Sequence, residues 1–424
     1  MNLPKIITGL LLISIVAGSS WAQSSTANWY SALPAAAAGS PWTLEVLSSS
    51  SSGSRLLLEC PGFWSEQIFQ DGQFRSKVYL PGSAGSTTSI GLPELPSIGR
   101  LLAIPADRDV DVIIHEISTQ TFPCENPCLS ESSEGTNQVP LEPLQQAGVF
   151  PSVWASASPP VIMKDYRLAP IVLNPIRYDF DAKQLVVATR LEVEFRTAEL
   201  SDQNVKTYFP PASEAFRPIY EGVILDQTEY NTATPLVAEG SRGKYLIFIA
   251  ENLTNSFFLN NFMTWKRQLG YQVILKPLTT ANNGKEQIKA AIMEEYYAGD
   301  AQLDYVLLVG DPNNGVVTIP AFDIYKPPNN TEVDPTDHSY ALLEGQDYFP
   351  DVMVGRLSIT STIELSIALN KILSYQKNPY LTDPNWFKKA LLAAGNYSDT
   401  PPAPITPAWV TLWLMDKLHD YGYT

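Results

Sequence analysis

Cysteine and histidine are scarce in this sequence, with 3 of each in 424 residues. Three cysteines cannot build a disulfide framework for so long a chain, which excludes the small disulfide-stapled classes. Three histidines leave few ways to assemble a histidine-rich metal site. Basic charge is also short: 28 Lys and Arg stand against 44 Asp and Glu, a net charge of −16. So acidic a chain does not suit phosphate backbones, which excludes a nucleic-acid partner, and it argues against simple adhesion to anionic lipid. The charged fraction of 17% is low, against roughly a quarter in ordinary domains. Long apolar runs are missing as well. No segment after the N-terminus approaches the roughly 20 apolar residues of a membrane span, so no transmembrane segment is expected. What is present is a normal apolar share of 45%, enough for globular cores. The length suggests two or three domains.

Residues 1–22 read as a secretory signal. Lys5 is a short positive region, Ile6 to Val16 an apolar core, and Ser20 and Ala22 the small residues before a cleavage point at Gln23. Export to a secreted or cell-surface location is expected. Residues 23–41 read as a linker. Cys124 and Cys128 sit in a loop-like Pro-Cys-Glu-Asn-Pro-Cys stretch, where a local disulfide is plausible in an oxidising compartment and a metal site is not, because no third ligand is near. Cys60 would stay unpaired. None of the three has the setting of a nucleophile.

Residues 42–230 read as a β domain. Leu101 to Pro105, Val110 to Ile117, Ile171 to Leu173 and Leu185 to Phe195 are strand candidates. Leu191, Val193 and Phe195 alternate with Glu192 and Glu194, which places the glutamates on a water-facing side. Tyr178 to Gln184 reads as a turn between strands. Many short strands with turn signals imply a β-sandwich or jelly roll. The serine-rich run Ser48 to Ser54 reads as a flexible loop.

After a polar linker, residues 231–243, the pattern changes to α/β. Lys244 to Ala250, Tyr271 to Leu275, Tyr305 to Val309 and Ala390 to Ala394 read as strands. Three helical stripes lie between them: Phe258, Phe262, Trp265 and Leu269, then Ile288, Ala291, Ile292 and Tyr296, then Ile363, Leu365, Ile367, Leu369 and Ile372. The alternation implies a mostly parallel sheet covered on both faces. Polar residues past strand ends are where sites form, which singles out Asp311 and the segment from Asp337 to Leu357. His338 is the one histidine in a site-like loop. His115 falls in a strand and His419 on a helix. Asp337, Glu344, Asp347 and Asp351 could hold a hard cation such as calcium through oxygen ligands, or form a solvated acidic loop.

Taken together, these motifs resemble the gingipain family of bacterial cysteine endopeptidases. The resemblance rests on Lys244 to Ala250, Trp265-Lys266, Leu303 to Asp311, Ile319-Pro320, Asp337 to Tyr340, Asp347 to Leu357 and Lys371 to Tyr375, in order and at matching spacing. The ending, Leu418 to Thr424, also fits. The β half resembles that family's propeptide through Gly91 to Pro96, Leu101 to Pro105 and Leu173 to Tyr178. The resemblance covers roughly residues 40 to 424.

It implies a secreted zymogen: a β-sandwich propeptide-like domain at 42–230, then a caspase-like αβα peptidase domain. Its first subdomain would be 244–385, and 386–424 the start of a second, incomplete at the C-terminus. A thiolate attacks the scissile carbonyl and a histidine handles the proton. The family's Gly-His pair and its cysteine segment do not occur in this sequence, so no catalytic residue is assigned. The dyad is expected beyond Thr424, and the polypeptide as written is expected to be inactive. The specificity pocket falls near Gly395 to Pro404, where Asp399 is the acidic candidate for receiving a basic side chain. Arg242 is the candidate processing site. The partners implied are protein or peptide substrates and the chain's own propeptide as an intramolecular inhibitor. No cofactor is required for the chemistry, and structural calcium is the one metal considered, at Asp337, Asp347 and Asp351. Two other readings remain open: an exported non-catalytic binding or assembly protein on the same scaffold, and a family variant that cleaves and transfers sorting signals.

Overall fold

The structure, a computed structural model, describes residues 27–34, 36–82, 85–130, 148–209, 212–225, 242–299, 302–324, 335–394 and 406–424. Residues 1–22, which read as a signal segment, and most of 231–243, which read as a linker, lie outside them. The chain divides into two compact units. The first holds the residues before Ser241 together with Met293–Asp304 and His338–Met353. The second holds Ser241–Ile292, Tyr305–Asp337 and Val354–Thr424.

Fourteen strands of the first unit follow in chain order. They are β1 (Asn28–Ser31), β2 (Thr43–Ser50), β3 (Gly53–Glu59), β4 (Gly62–Gln70), β5 (Gln73–Tyr79), β6 (Gly85–Ser86) and β7 (Pro96–Ala103), then β8 (Arg108–Pro123), β9 (Val149–Phe150), β10 (Ala155–Ala157), β11 (Val161–Met163), β12 (Tyr166–Leu173), β13 (Ile176–Asp179) and β14 (Gln184–Leu200). They build three sheets: β1-β4-β5; β10-β12-β7-β6 with β11 on β12; and β2-β3-β14-β13-β9 with β8 also on β14. Strand β1 lies inside 23–41, the stretch read as a linker. Its register runs from Asn28 opposite Ser65 to Ser31 opposite Gly62.

The alternation in β14 does what its residues require. Leu191, Val193 and Phe195 are fully buried, and with Leu56 and Leu58 of β3, Phe63 of β4, Ile98 of β7 and Ile171 of β12 they form one core shared by all three sheets. Glu194 takes the outward side, where it meets Arg196 and His115. Glu192 does not face open water. Its side chain is covered and paired with Arg55 of β3. The serine run is no loose loop. Ser50 pairs with Gly53 and Ser49 with Ser54, so the run is the tip of the β2–β3 hairpin. Gly53 sits at φ +134°, and a Cβ there would strike the backbone oxygen of Phe195, so only glycine fits.

A smaller core caps this unit. Met163, Tyr166 and Leu168 pack with Phe216, Tyr220 and Ile224 on and beside α1 (Arg217–Val223).

The α/β segment contains β15 (Lys244–Ala250), α2 (Phe257–Gln268), β16 (Gln272–Leu278), α3 (Lys285–Tyr297), β17 (Leu303–Val309), β18 (Phe322–Asp323), β19 (Pro335–Thr336), β20 (Met353–Leu357), α4 (Thr362–Lys377) and α5 (Thr406–Asp420). A four-stranded sheet runs β16-β15-β17-β20, with β15 and β16 parallel. The apolar run of β15 is almost wholly buried, as a central strand needs. Pro277 is tolerated because β16 is an edge strand. Ser256 caps α2 and a Ser361–Glu364 capping box starts α4.

Helix α3 buries Ile288, Ile292 and Tyr296 of its predicted stripe, whereas in α2 and α4 the buried faces are shifted from the predicted ones. Helix α2 buries Leu259, Phe262 and Met263, with Phe258, Trp265 and Leu269 half-buried beside them. Helix α4 buries Leu365, Leu369 and Leu373 and exposes Ile363 and Ile367. Ala390 to Ala394 forms no strand. Among the described residues its backbone meets only the chain end: Ala390 donates to the Thr424 carbonyl, and Thr424 donates to that of Lys388. An apolar run without a flanking strand has no ladder to join.

Candidate functional site

Among the described residues, a dense cluster of buried charge lies in the first unit. It joins residues of the β half to residues that follow Ile292. Lys164 and Asp165 form the two-residue turn of the β11–β12 hairpin, with Met163 paired to Tyr166. Lys164 has φ +45°, a left-handed conformation at a non-glycine position. That costs on the order of 1–2 kcal/mol and persists only where its surroundings hold it.

Its side chain is fully buried. The Lys164 ammonium donates to the Leu303 carbonyl at 2.6 Å and to the Asp351 carbonyl at 3.3 Å, and lies 3.2 Å from Asp304 Oδ1. The rings of Phe216 and Tyr296 flank it at 5.2 and 5.4 Å. Asp304 also accepts the Ser213 hydroxyl at 2.7 Å. A second buried pair lies alongside. Lys206 Nζ stands 2.9 Å from Glu344 Oε2 and donates to the Lys164 carbonyl at 2.5 Å.

Asp347 and Asp351 complete the arrangement. Asp351 accepts the Lys164 N–H at 3.1 Å on one oxygen and the Leu343 and Glu344 N–H groups at 2.7 and 2.8 Å on the other. Burial pushes its carboxyl up to about 6, against the pull of those three donors. Asp347 accepts the Ile162 N–H at 2.8 Å, the Phe349 N–H at 2.8 Å and the Asn204 amide at 3.3 Å. Burial raises it too. Asn204 also accepts the Gln346 N–H. Arg167, buried whole, ties down this corner by donating to the carbonyls of Gln203, Asn204 and Pro105.

Asp165 turns the other way, accepting the Ser213 N–H and the Tyr220 hydroxyl. Burial holds it above the usual carboxylate range although Lys164 is adjacent. Its Oδ1 and the Oε1 of Glu344 are buried without a hydrogen-bond partner among the described residues. Two lysines thus face Asp165, Asp304, Glu344 and Asp351, an acidic excess in a dry place.

In the acidic loop the Asp347 and Asp351 side-chain oxygens accept backbone N–H groups and Glu344 Oε2 pairs with Lys206, while Glu344 Oε1 has no hydrogen-bond partner among the described residues. Asp337 belongs to the second unit and is held by both ends of the Arg356 guanidinium at 2.7 Å, with Arg356 also donating to the Gly310 and Ile319 carbonyls. No group of three or more His, Cys, Asp or Glu arranged to hold a metal occurs among the described residues.

Other sequence candidates have ordinary roles. Asp311 accepts the Asn313 N–H, the Ser358 hydroxyl and the Asn314 N–H, which hold its carboxyl low. His338 Nε2 lies 2.9 Å from the Tyr348 carbonyl oxygen. His115 pairs with Glu194 at 2.6 Å. Asp399 lies outside the described residues. Arg242 is exposed, with its guanidinium 6.0 Å from the centre of the Tyr271 ring.

Cys60, Cys124 and Cys128 are buried thiols and none is in a disulfide, so no bridge joins Cys124 to Cys128. Burial pushes the Cys60 and Cys124 thiols up to about 11, far from the thiolate a nucleophile needs. A thiol titration of this chain is expected to give no rapid reaction in the native state and three equivalents in denaturant. One equivalent in denaturant would mean that a disulfide is present.

Lys164, Lys206 and Asp304 escaped the reading of the sequence. A signal existed for Asp304, a carboxylate inside the apolar run from Leu303 to Val309.

The position of this cluster gains meaning from similar proteins. A family model described as Propeptide_C25 matches residues 38–216, and one described as Peptidase family C25 matches residues 238–421. Gingipain R2 of Porphyromonas gingivalis is 26% identical over 355 residues, covering 79% of this chain and 45% of that protein. Lys-gingipain of the same organism is 27% identical over 390 residues, covering 83% of this chain and 20% of that protein. The chain thus spans less than half the length of these curated relatives. A solved complex of the pro- and mature domains of Porphyromonas gingivalis RgpB aligns with 43% of this chain and 95% of that one, at 21% identity and a TM-score of 0.37. Lys164 and Lys206 fall in the propeptide match, and Leu303, Asp304, Glu344 and Asp351 in the peptidase match. With both family models matched in order, the chain belongs to the gingipain family, peptidase family C25.

Proposed function

We propose that this chain is the pro-segment and the leading part of the peptidase segment of a secreted cysteine endopeptidase zymogen, in which the β half is a β-sandwich propeptide domain acting as intramolecular inhibitor. The observation that carries this is the buried docking of propeptide-match residues, through Lys164 and Lys206, onto carboxylates of the peptidase match. The Cys/His dyad lies beyond Thr424 in this reading, within a caspase-like αβα domain. All three cysteines present are buried in the β half, where none can act as the nucleophile.

Substrates are proteins or peptides. Asp399 would favour a basic side chain before the scissile bond. Structural calcium at Asp337, Asp347 or Asp351 is not needed for the chemistry. Release of the pro-segment follows cleavage after Arg242. That bond is flanked by two backbone hydrogen bonds, Arg242 N–H to the Gly270 carbonyl and Gln272 N–H to the Gly243 carbonyl, so hydrolysis requires the segment to lift off first. Sequencing the mature secreted protein is expected to begin at Gly243, and a start inside the β half would refute this site.

An active-site thiol probe applied to the full gene product tests the reading. Labelling is expected at a cysteine outside the present 424 residues. Labelling confined to Cys60, Cys124 or Cys128, or none with peptidase activity intact, would contradict it.

A further inference from the structure

Lys164 and Lys206 do more than fill space. Ion pairs elsewhere in the first unit, such as Lys183–Glu125 and Arg190–Glu116, are exposed on both sides and add little. Lys164–Asp304 and Lys206–Glu344 are buried on both sides. Truncating one partner of such a pair strands the other charge without water.

Lys164 is also the one residue of its hairpin turn with positive φ. Glycine suits that position far better on backbone grounds. A lysine placed there at conformational cost has its ammonium held by Leu303, Asp304, Tyr296 and Asp351 of the peptidase match and covered by Phe216, so its worth lies in what it touches.

We propose that Lys164 and Lys206 are the anchors by which the pro-segment recognises its own peptidase segment. Asp304 with the Leu303 and Asp351 carbonyls forms one lysine-accepting socket, and Glu344 forms the other. The proposal rests on the zymogen reading and adds to it the residues that decide recognition. The partner that fits this surface is a lysine-tipped hairpin, and a chain cut only in the linker stays assembled unless a lysine is removed while its socket keeps the buried charge.

The test uses the full chain with a site-specific protease recognition sequence inserted between Leu225 and Arg242, cut and followed by size exclusion. The wild-type fragments are expected to co-elute. Lys164→Gly relieves the turn and removes the anchor, and its fragments are expected to separate on the order of 100-fold faster. If the turn alone mattered, Lys164→Gly fragments would hold together as well as wild type or better, and that result would overturn the proposal. Lys164→Met with Asp304→Leu replaces the charge pair by apolar groups, and its fragments are expected to co-elute. Should the uncut Lys164→Gly chain fail to fold while the Met/Leu chain folds, charge complementarity is again the cause. Failure of both to fold would refute it. Absence of thiol-dependent peptidase activity in the full gene product would remove the zymogen reading while leaving these outcomes unchanged.

Discussion

Replacing Lys164 by alanine is expected to destabilise the first unit by about 3–5 kcal/mol, the usual cost of breaking a buried ion pair from one side. The reason is the fate of Asp304. With the ammonium gone, this carboxylate keeps the Ser213 hydroxyl but stays out of water, since it is almost wholly buried. The Leu303 carbonyl loses a donor at the same time. The loss far exceeds the 1–2 kcal/mol recovered by leaving the strained turn conformation, and alanine recovers little of that. Denaturant unfolding of the chain measures the change. A double-mutant cycle with Asp304→Asn is expected to show strong coupling, because each single change strands the other group. A loss under about 1 kcal/mol, or additive effects, would show that the pair is satisfied by other means.

Phe195→Ala is expected to cost a similar amount, about 3–5 kcal/mol, by a different route. Phe195 is fully buried near the centre of β14 and belongs to the core shared by the three sheets. Truncation leaves a cavity that its neighbours cannot close. They are fixed by ladders on both sides of β14, with Phe195 paired to Ser54 of β3 and to Val112 of β8. The slope of unfolding against denaturant should stay unchanged while the midpoint falls. Phe195→Leu should recover much of the loss, because most of the volume returns.

Strand β14 was legible in the sequence because Leu191, Val193 and Phe195 alternate with polar residues, and period two is a local signal. Strand β15 was legible because a strand flanked on both sides needs a continuous apolar run. The α3 stripe of Ile288, Ile292 and Tyr296 is legible as the buried face, whereas the buried face of α2 runs through Leu259, Phe262 and Met263 and that of α4 through Leu365, Leu369 and Leu373. Ile363 and Ile367 fit the same periodicity as Leu365 and Leu369, and only packing decides between them. Ser48 to Ser54 read as a loop because serine favours neither strand nor helix strongly. Its pairing comes from β3 and from Thr197, whose N–H and hydroxyl groups hold the turn.

The buried cluster was the least legible feature. Lys206 and Glu344 are 138 positions apart, and nothing local to either signals the other. Lys164 and Asp165 read as an ordinary polar turn. Asp337, Asp347 and Asp351 stand out in the sequence as oxygen-rich residues near strand ends, but their partners do not: Asp347 and Asp351 accept backbone N–H groups from Ile162 and Lys164, far away in the chain.

The most direct test is peptidase activity of the full gene product before and after the pro-segment is removed. The expected result is latency in the intact protein, activity once the residues before Gly243 have left, and loss of that activity on thiol alkylation. Equal activity before and after removal, or activity indifferent to alkylation, would contradict a cysteine peptidase held latent by its own β domain.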